Sequence, residues 1–171
     1  SDLETLKFAC FLHDIGKIRV PGRLLNKRGP LSAEEHEIVR LHPVYGERIV
    51  APIQHFRAVA ELIRHHHERN DGTGYPDGLR GAELSLLAKI LIAADAMDAM
   101  TSDRPYRTAW PMVVAIEELK RCANIDFDRR VLPYAAQPVD HFDREVVLAM
   151  VADLVERPVA PVGPRPPPEP P

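Results

Sequence analysis

The sequence predicts an all-α fold, on three observations. Apolar residues recur at helical spacing along the chain, no convincing strand alternation emerges, and glycine and proline punctuate the segments between. The spacing predicts helices near 2–14, 32–41, 44–52, 55–68, 85–101, 111–122, 128–136 and 141–156. The first closes on Phe11-Leu12-His13-Asp14-Ile15-Gly16-Lys17, an apolar helix that ends in polar groups and a glycine break. Pro21 to Pro30 reads as an extended loop. Ser32 with Glu35 is a capping-box signal for the second helix. Pro43 opens the third, from Val44 to Ala51, with His42 at its mouth. In the fourth, Val59, Leu62, Ile63 and His66 lie at i, i+3, i+4 and i+7, which assigns His66 to the buried face. His65 reads as an exposed neighbour, and Glu68 to Pro76 as a glycine-rich loop bordering a cleft. The fifth, Lys89 to Met100, is apolar on nearly every side. From Arg157 onward proline takes eight of the last fifteen positions, so 157–171 is expected to be a tail that packs as neither helix nor sheet.

Composition narrows the function classes. With 171 residues and 45% hydrophobic content the chain can bury a core as one domain, expected over 1–156. A formal charge of −3 and a pI near 6.2 give no broad basic field, which argues against duplex nucleic acid as a partner. Cys10 and Cys122 read as reduced core thiols of a cytoplasmic protein. No signal peptide is evident, and no apolar stretch reaches the roughly 20 residues of a membrane span.

The chemistry is concentrated in His13, Asp14, His42, His66, His67 and Asp95, four imidazoles and two carboxylates that together could hold two metal ions. Imidazole and carboxylate suit divalent metals in catalytic sites, whereas a structural zinc site more often recruits thiolates. Asp14 and Lys17 are three apart and share a helical face, which sets an ammonium beside the carboxylate. Asp95 sits in the most apolar helix, where an isolated carboxylate needs a cation, several donors or a metal. Asp98, one turn on, reads equally as a partner in an ordinary hydrogen bond near the helix end.

The motifs resemble the HD-GYP branch of the HD metal-dependent phosphohydrolases, which acts on cyclic di-GMP. His13-Asp14-Ile15-Gly16-Lys17 is similar to that family's HDIGK, and Leu25-Asn26-Lys27 to its LNK. The run from His66 through Glu68, Asp71, Gly74, Tyr75 and Pro76 resembles HHERxDGxGYP, and Asp95 to Arg107 resembles DxxDAxTSDRPYR. The resemblance covers Asp2 to Asp128 and implies a multi-helix HD-type domain. It implies metal ligation by His13, Asp14, His42, His66, His67 and Asp95, with Asp14 bridging two divalent ions, iron or manganese before zinc. It further implies that Lys17 faces the substrate phosphate, that Tyr75 lines the guanine side, and that Arg104 and Arg107 contact phosphate or base. One departure stands out: the family's further ligand on a preceding helix has no counterpart, and Glu4 lies on the same helix as His13.

The implied reaction is hydrolysis of cyclic di-GMP to linear pGpG and onward to GMP, by in-line displacement without a protein nucleophile. No P-loop or Gly-x-Ser-x-Gly elbow is present. The alternative is a module that senses cyclic di-GMP or docks a partner with little turnover. Also implied are a diguanylate cyclase (GGDEF) domain as a protein partner and a sensor or receiver domain before Ser1. An HD nucleotidase is disfavoured by Gly74-Tyr75-Pro76.

Overall fold

A computed structural model describes residues 2–103 and 108–123. Seven α-helices run through these residues: α1 (Asp2–Leu12), α2 (Gly22–Leu25), α3 (Ala33–Val39), α4 (His42–Val50), α5 (Arg57–His65), α6 (Leu86–Thr101) and α7 (Met112–Arg121). Three 3-10 turns join them at Ile15–Arg19, Gln54–Phe56 and Gly81–Glu83. No strand occurs among the described residues, and Asp71 and Arg80 pair in an isolated antiparallel bridge. The all-α expectation holds.

The core follows from which faces are apolar. Leu6 and Ala9 of α1, Val50 of α4, Val59, Ala60, Leu62 and Ile63 of α5, and Ala88, Ile90, Leu91 and Ala93 of α6 form one buried cluster. The apolar stripe of α5 thus meets α1, α4 and α6 at once, and Ile63 is fully buried. Ser85 caps α6 by accepting the Ala88 N–H, and Ser32 with Glu35 makes the expected capping box on α3. A smaller cluster of Met97, Ala115 and Leu119 seats α7 on the end of α6.

Three expectations are corrected. Helix α1 stops at Leu12, so His13 and Asp14 leave the helix and the chain tightens into the 3-10 turn. The cause is Gly16: a Cβ there would lie 1.9 Å from the His42 carbonyl oxygen and 2.5 Å from the Gly46 nitrogen. Only a residue without a side chain lets this turn press against the first turn of α4. Within Pro21 to Pro30, the loop expectation is broken by α2, because Leu24 buries and pins a helical turn behind Pro21. Helix α4 begins at His42 and not after it, with Pro43 inside the first turn, where its missing N–H costs no bond.

The helices expected at 128–136 and 141–156, the tail at 157–171, and Arg104 and Arg107 lie outside the described residues. Among the described residues, no helix is long and apolar enough to cross a membrane. Cys10 and Cys122 are both free thiols, and each is partly buried.

Candidate metal centre

Three of the histidines are held in the same way. His13 Nδ1 donates to the Cys10 carbonyl at 2.8 Å, His42 Nδ1 to the Val39 carbonyl at 2.8 Å, and His66 Nδ1 to the Ile63 carbonyl at 2.7 Å. Each acceptor belongs to the last turn of a helix, α1, α3 or α5, where carbonyls lack intrahelical partners. A carbonyl only accepts, so Nδ1 carries the proton and Nε2 is left with its lone pair. The helix ends therefore choose the tautomer that a metal requires.

Those Nε2 atoms converge. His42 Nε2 and His66 Nε2 are 3.2 Å apart, and donor atoms of His42, His66 and His67 lie within 4.8 Å of one another. Two facing lone pairs repel unless a cation lies between them, so this donor set fits a metal ion. Asp14 divides its oxygens between two sides. Oδ1 is 3.3 Å from His42 Nε2 and 4.0 Å from His66 Nε2, while Oδ2 is 3.5 Å from His13 Nε2 and accepts from Lys17 Nζ. Asp95 Oδ1 lies 3.5 Å from His13 Nε2. Thus the ends of α1 and α5, the 3-10 turn after α1, the start of α4 and the middle of α6 bring the six residues together.

Charge is distributed unevenly. Burial and the neighbouring His67 push His66 down to about 3, and burial with the neighbouring His42 pushes His67 down to about 4. Both stay neutral near pH 7. His13 moves the other way: burial opposes its charge, but the bonds to Asp95 and the Cys10 carbonyl, with Asp14 nearby, raise it above its ordinary value. Burial works against ionised Asp14, yet the hydrogen-bonded Lys17 ammonium, with His13 nearby, holds its carboxyl well below the usual carboxylate range. Asp95 is likewise lowered, burial being outweighed by His13.

One wall is aromatic. The Tyr75 ring stacks on His67 with centroids 4.9 Å apart and planes 25° apart, and the Arg40 guanidinium lies 5.2 Å from the Tyr75 centroid. The Tyr75 N–H donates to the His67 carbonyl at 3.1 Å. Gly74 makes this turn possible, since a Cβ there would lie 2.3 Å from the Arg69 nitrogen and 2.4 Å from Glu68 Cα.

Two residues with a part in the site were not singled out from the sequence. Arg40 carried no motif, and only its place two residues before His42 hinted at it. Glu68 read as a loop residue, yet it is 1% exposed and accepts N–H bonds from Asp77, Gly78 and Leu79. Its signal was an acid set directly after two histidines on an amphipathic helix. Asp98 follows its ordinary reading, accepting from the Ser102 hydroxyl at 3.0 Å. His65 is half-buried rather than exposed, because Asp77 folds back to it at 3.1 Å. Glu4 is exposed on α1.

An HD domain family model matches residues 1–131. The chain is 45% identical to a cyclic di-GMP phosphodiesterase of Pseudomonas aeruginosa over 124 residues, 72% of this chain and 30% of the relative. It is 42% identical to 3'3'-cGAMP-specific phosphodiesterase 3 of Vibrio cholerae over 116 residues, 68% of this chain and 25% of the relative. A cyclic di-GMP phosphodiesterase of Thermotoga maritima is 44% identical over 119 residues, 67% of this chain and 32% of the relative. The chain spans about a third or less of the length of these curated relatives.

Proposed function

The chain belongs to the HD domain family, in its HD-GYP branch, and on that premise we propose that it is a metal-dependent phosphodiesterase hydrolysing cyclic di-GMP to linear pGpG and onward to GMP. The observation that carries the reading is the pair of lone-pair-bearing Nε2 atoms of His42 and His66, 3.2 Å apart with Asp14 Oδ1 beside them. Imidazoles so fixed, with Nδ1 bonded to carbonyls, are suited to a cation.

His13, Asp14, His42, His66, His67 and Asp95 would hold two divalent ions, iron or manganese, and Asp14 reaches both the His13 and the His42 sides with its two oxygens. Such ions supply charge stabilisation at phosphate and bring a water's pKa close to neutrality. Lys17 keeps an ammonium at the outer oxygen of Asp14, where it meets the charge of a bound phosphate. Tyr75, flat on His67, offers a stacking face for guanine. Arg104 and Arg107, outside the described residues, would grip phosphate or a base edge with their planar forks.

The proposed setting is the bacterial cytoplasm, with 1–156 as the catalytic domain, 157–171 as a tail, and a diguanylate cyclase domain as a protein partner. Metal analysis of anaerobically purified protein, paired with chromatography of cyclic di-GMP and 3'3'-cGAMP digests, tests the reading. Two ions per chain and cyclic di-GMP turnover are expected. Preference for 3'3'-cGAMP would move the substrate toward the Vibrio cholerae relative. Binding of cyclic di-GMP without turnover would make the domain a sensing or docking module.

A further inference from the structure

We propose that Glu68 is the positioning residue that fixes Tyr75 over His67, forming with Asp77 and Arg64 a two-sided latch on which cyclic-dinucleotide binding depends. The substrate in this inference rests on the function proposed above. The latch itself rests on geometry. An ionised carboxylate tolerates burial only when its oxygens are satisfied. Glu68 Oε1 accepts the N–H groups of Asp77 at 2.7 Å and Gly78 at 3.1 Å, and Oε2 accepts that of Leu79 at 3.1 Å. Both oxygens are engaged by the returning loop, so Glu68 acts through that loop and not on the ions.

Asp77 is seized from the other side as well. Its carboxylate accepts from Arg64 Nε at 2.6 Å and from Arg64 Nη2 at 2.7 Å, while Arg64 Nη1 donates to Glu47 of α4 at 2.6 Å. The two-point pairing restricts direction as well as distance. Asp77 therefore ties the buried carboxylate after His67 to the outer faces of α4 and α5. Tyr75 lies two residues before this knot and is bonded to the His67 carbonyl just before Glu68. If the latch opens, the ring loses the backbone that holds it to the imidazole, while His42 and His66 keep their own carbonyl anchors.

The test uses metal-loaded protein carrying Glu68→Gln, which preserves size but turns an amide N–H toward a loop N–H. We expect KM for cyclic di-GMP to rise about tenfold with kcat within about threefold and metal content unchanged. Tyr75→Ala should raise KM comparably, and Glu68→Gln with Tyr75→Ala should be no worse than Tyr75→Ala alone, since the two act through one element. Multiplying effects, or metal loss in Glu68→Gln, would overturn the proposal. Hydrogen exchange reads the latch with no substrate present: amides of 72–80 should lose protection in Glu68→Gln while α4 and α5 keep theirs. Unchanged loop protection would also overturn it. If wild-type protein turns over no cyclic dinucleotide, the proposed function has failed, and the exchange result alone judges the latch.

Discussion

The two sides of the centre are built on opposite electrostatic plans. On the inner side, His42 and His66 are fully buried imidazoles with Nδ1 anchored to helix-end carbonyls, and His67 is roofed by Tyr75. On the outer side, Asp14 and Lys17 are about 40% exposed and carry their charges openly. The inner side costs desolvation but no charge, because burial keeps His66 and His67 deprotonated. The outer side keeps charge in partial contact with water, where a dianionic substrate would have to arrive. Asp14, with one oxygen toward each side, is the hinge of the contrast.

The sharpest way to break the contrast is at that hinge. Asp14→Ala should remove bound metal and lower turnover at least about a hundredfold, or about 2.7 kcal/mol of transition-state stabilisation. Retention of two ions per chain by elemental analysis would show that the sides are held independently. Next in size is Gly16→Ala, which drives a methyl into the His42 carbonyl and should cost about 3 kcal/mol of stability in denaturant melts. A neutral result there would mean that the 3-10 turn is free to shift off α4.

Lys17→Ala probes the outer side alone. Turnover should fall about tenfold, near 1.4 kcal/mol, with metal content intact. Loss of metal would reassign Lys17 to holding Asp14 in place.

Acid should find the inner side first. In metal-stripped protein, His66 and His67 titrate near 3 and 4 when folded, against about 6.5 in an unfolded chain. Between those values the unfolded state binds protons that the native state does not, so stability is full above about pH 6.5 and falls as pH drops, by up to about 1.4 kcal/mol per unit per group. His13, raised in the folded state, works with opposite sign, its contribution present at low pH and lost as pH rises through its folded value. Denaturant melts of chelator-treated protein between pH 4.5 and 7 read the net slope. His67→Asn should flatten it, and an unchanged slope would place the acid sensitivity elsewhere.

Where the sequence was legible, a single residue type carried enough chemistry to be read by itself. His13, Asp14, His42, His66, His67 and Asp95 stood out because imidazoles and carboxylates at apolar helix ends or inside an apolar helix demand partners, and the structure gathers all six. Gly16 was legible as a break but not as a contact, since the surface it meets is 26 residues away on α4 at His42. Glu68 was hidden for a related reason. Its burial exists only once residues 77–79 return to it, and no local pattern encodes that return. The short helix α2 escaped because four residues give no period, and Leu24 alone fixes it from within.

The contrast between the two sides reduces to one property, the protonation of the inner imidazoles before any metal arrives. Long-range proton–nitrogen NMR of uniformly labelled, metal-stripped protein reads it at each ring nitrogen. We expect His42 and His66 to show Nδ1–H with a bare Nε2, and His66 to remain neutral from pH 7 to below pH 5. An Nε2–H tautomer at His66, or its titration near the free value of about 6.5, would contradict a site preset for metal by its helix ends.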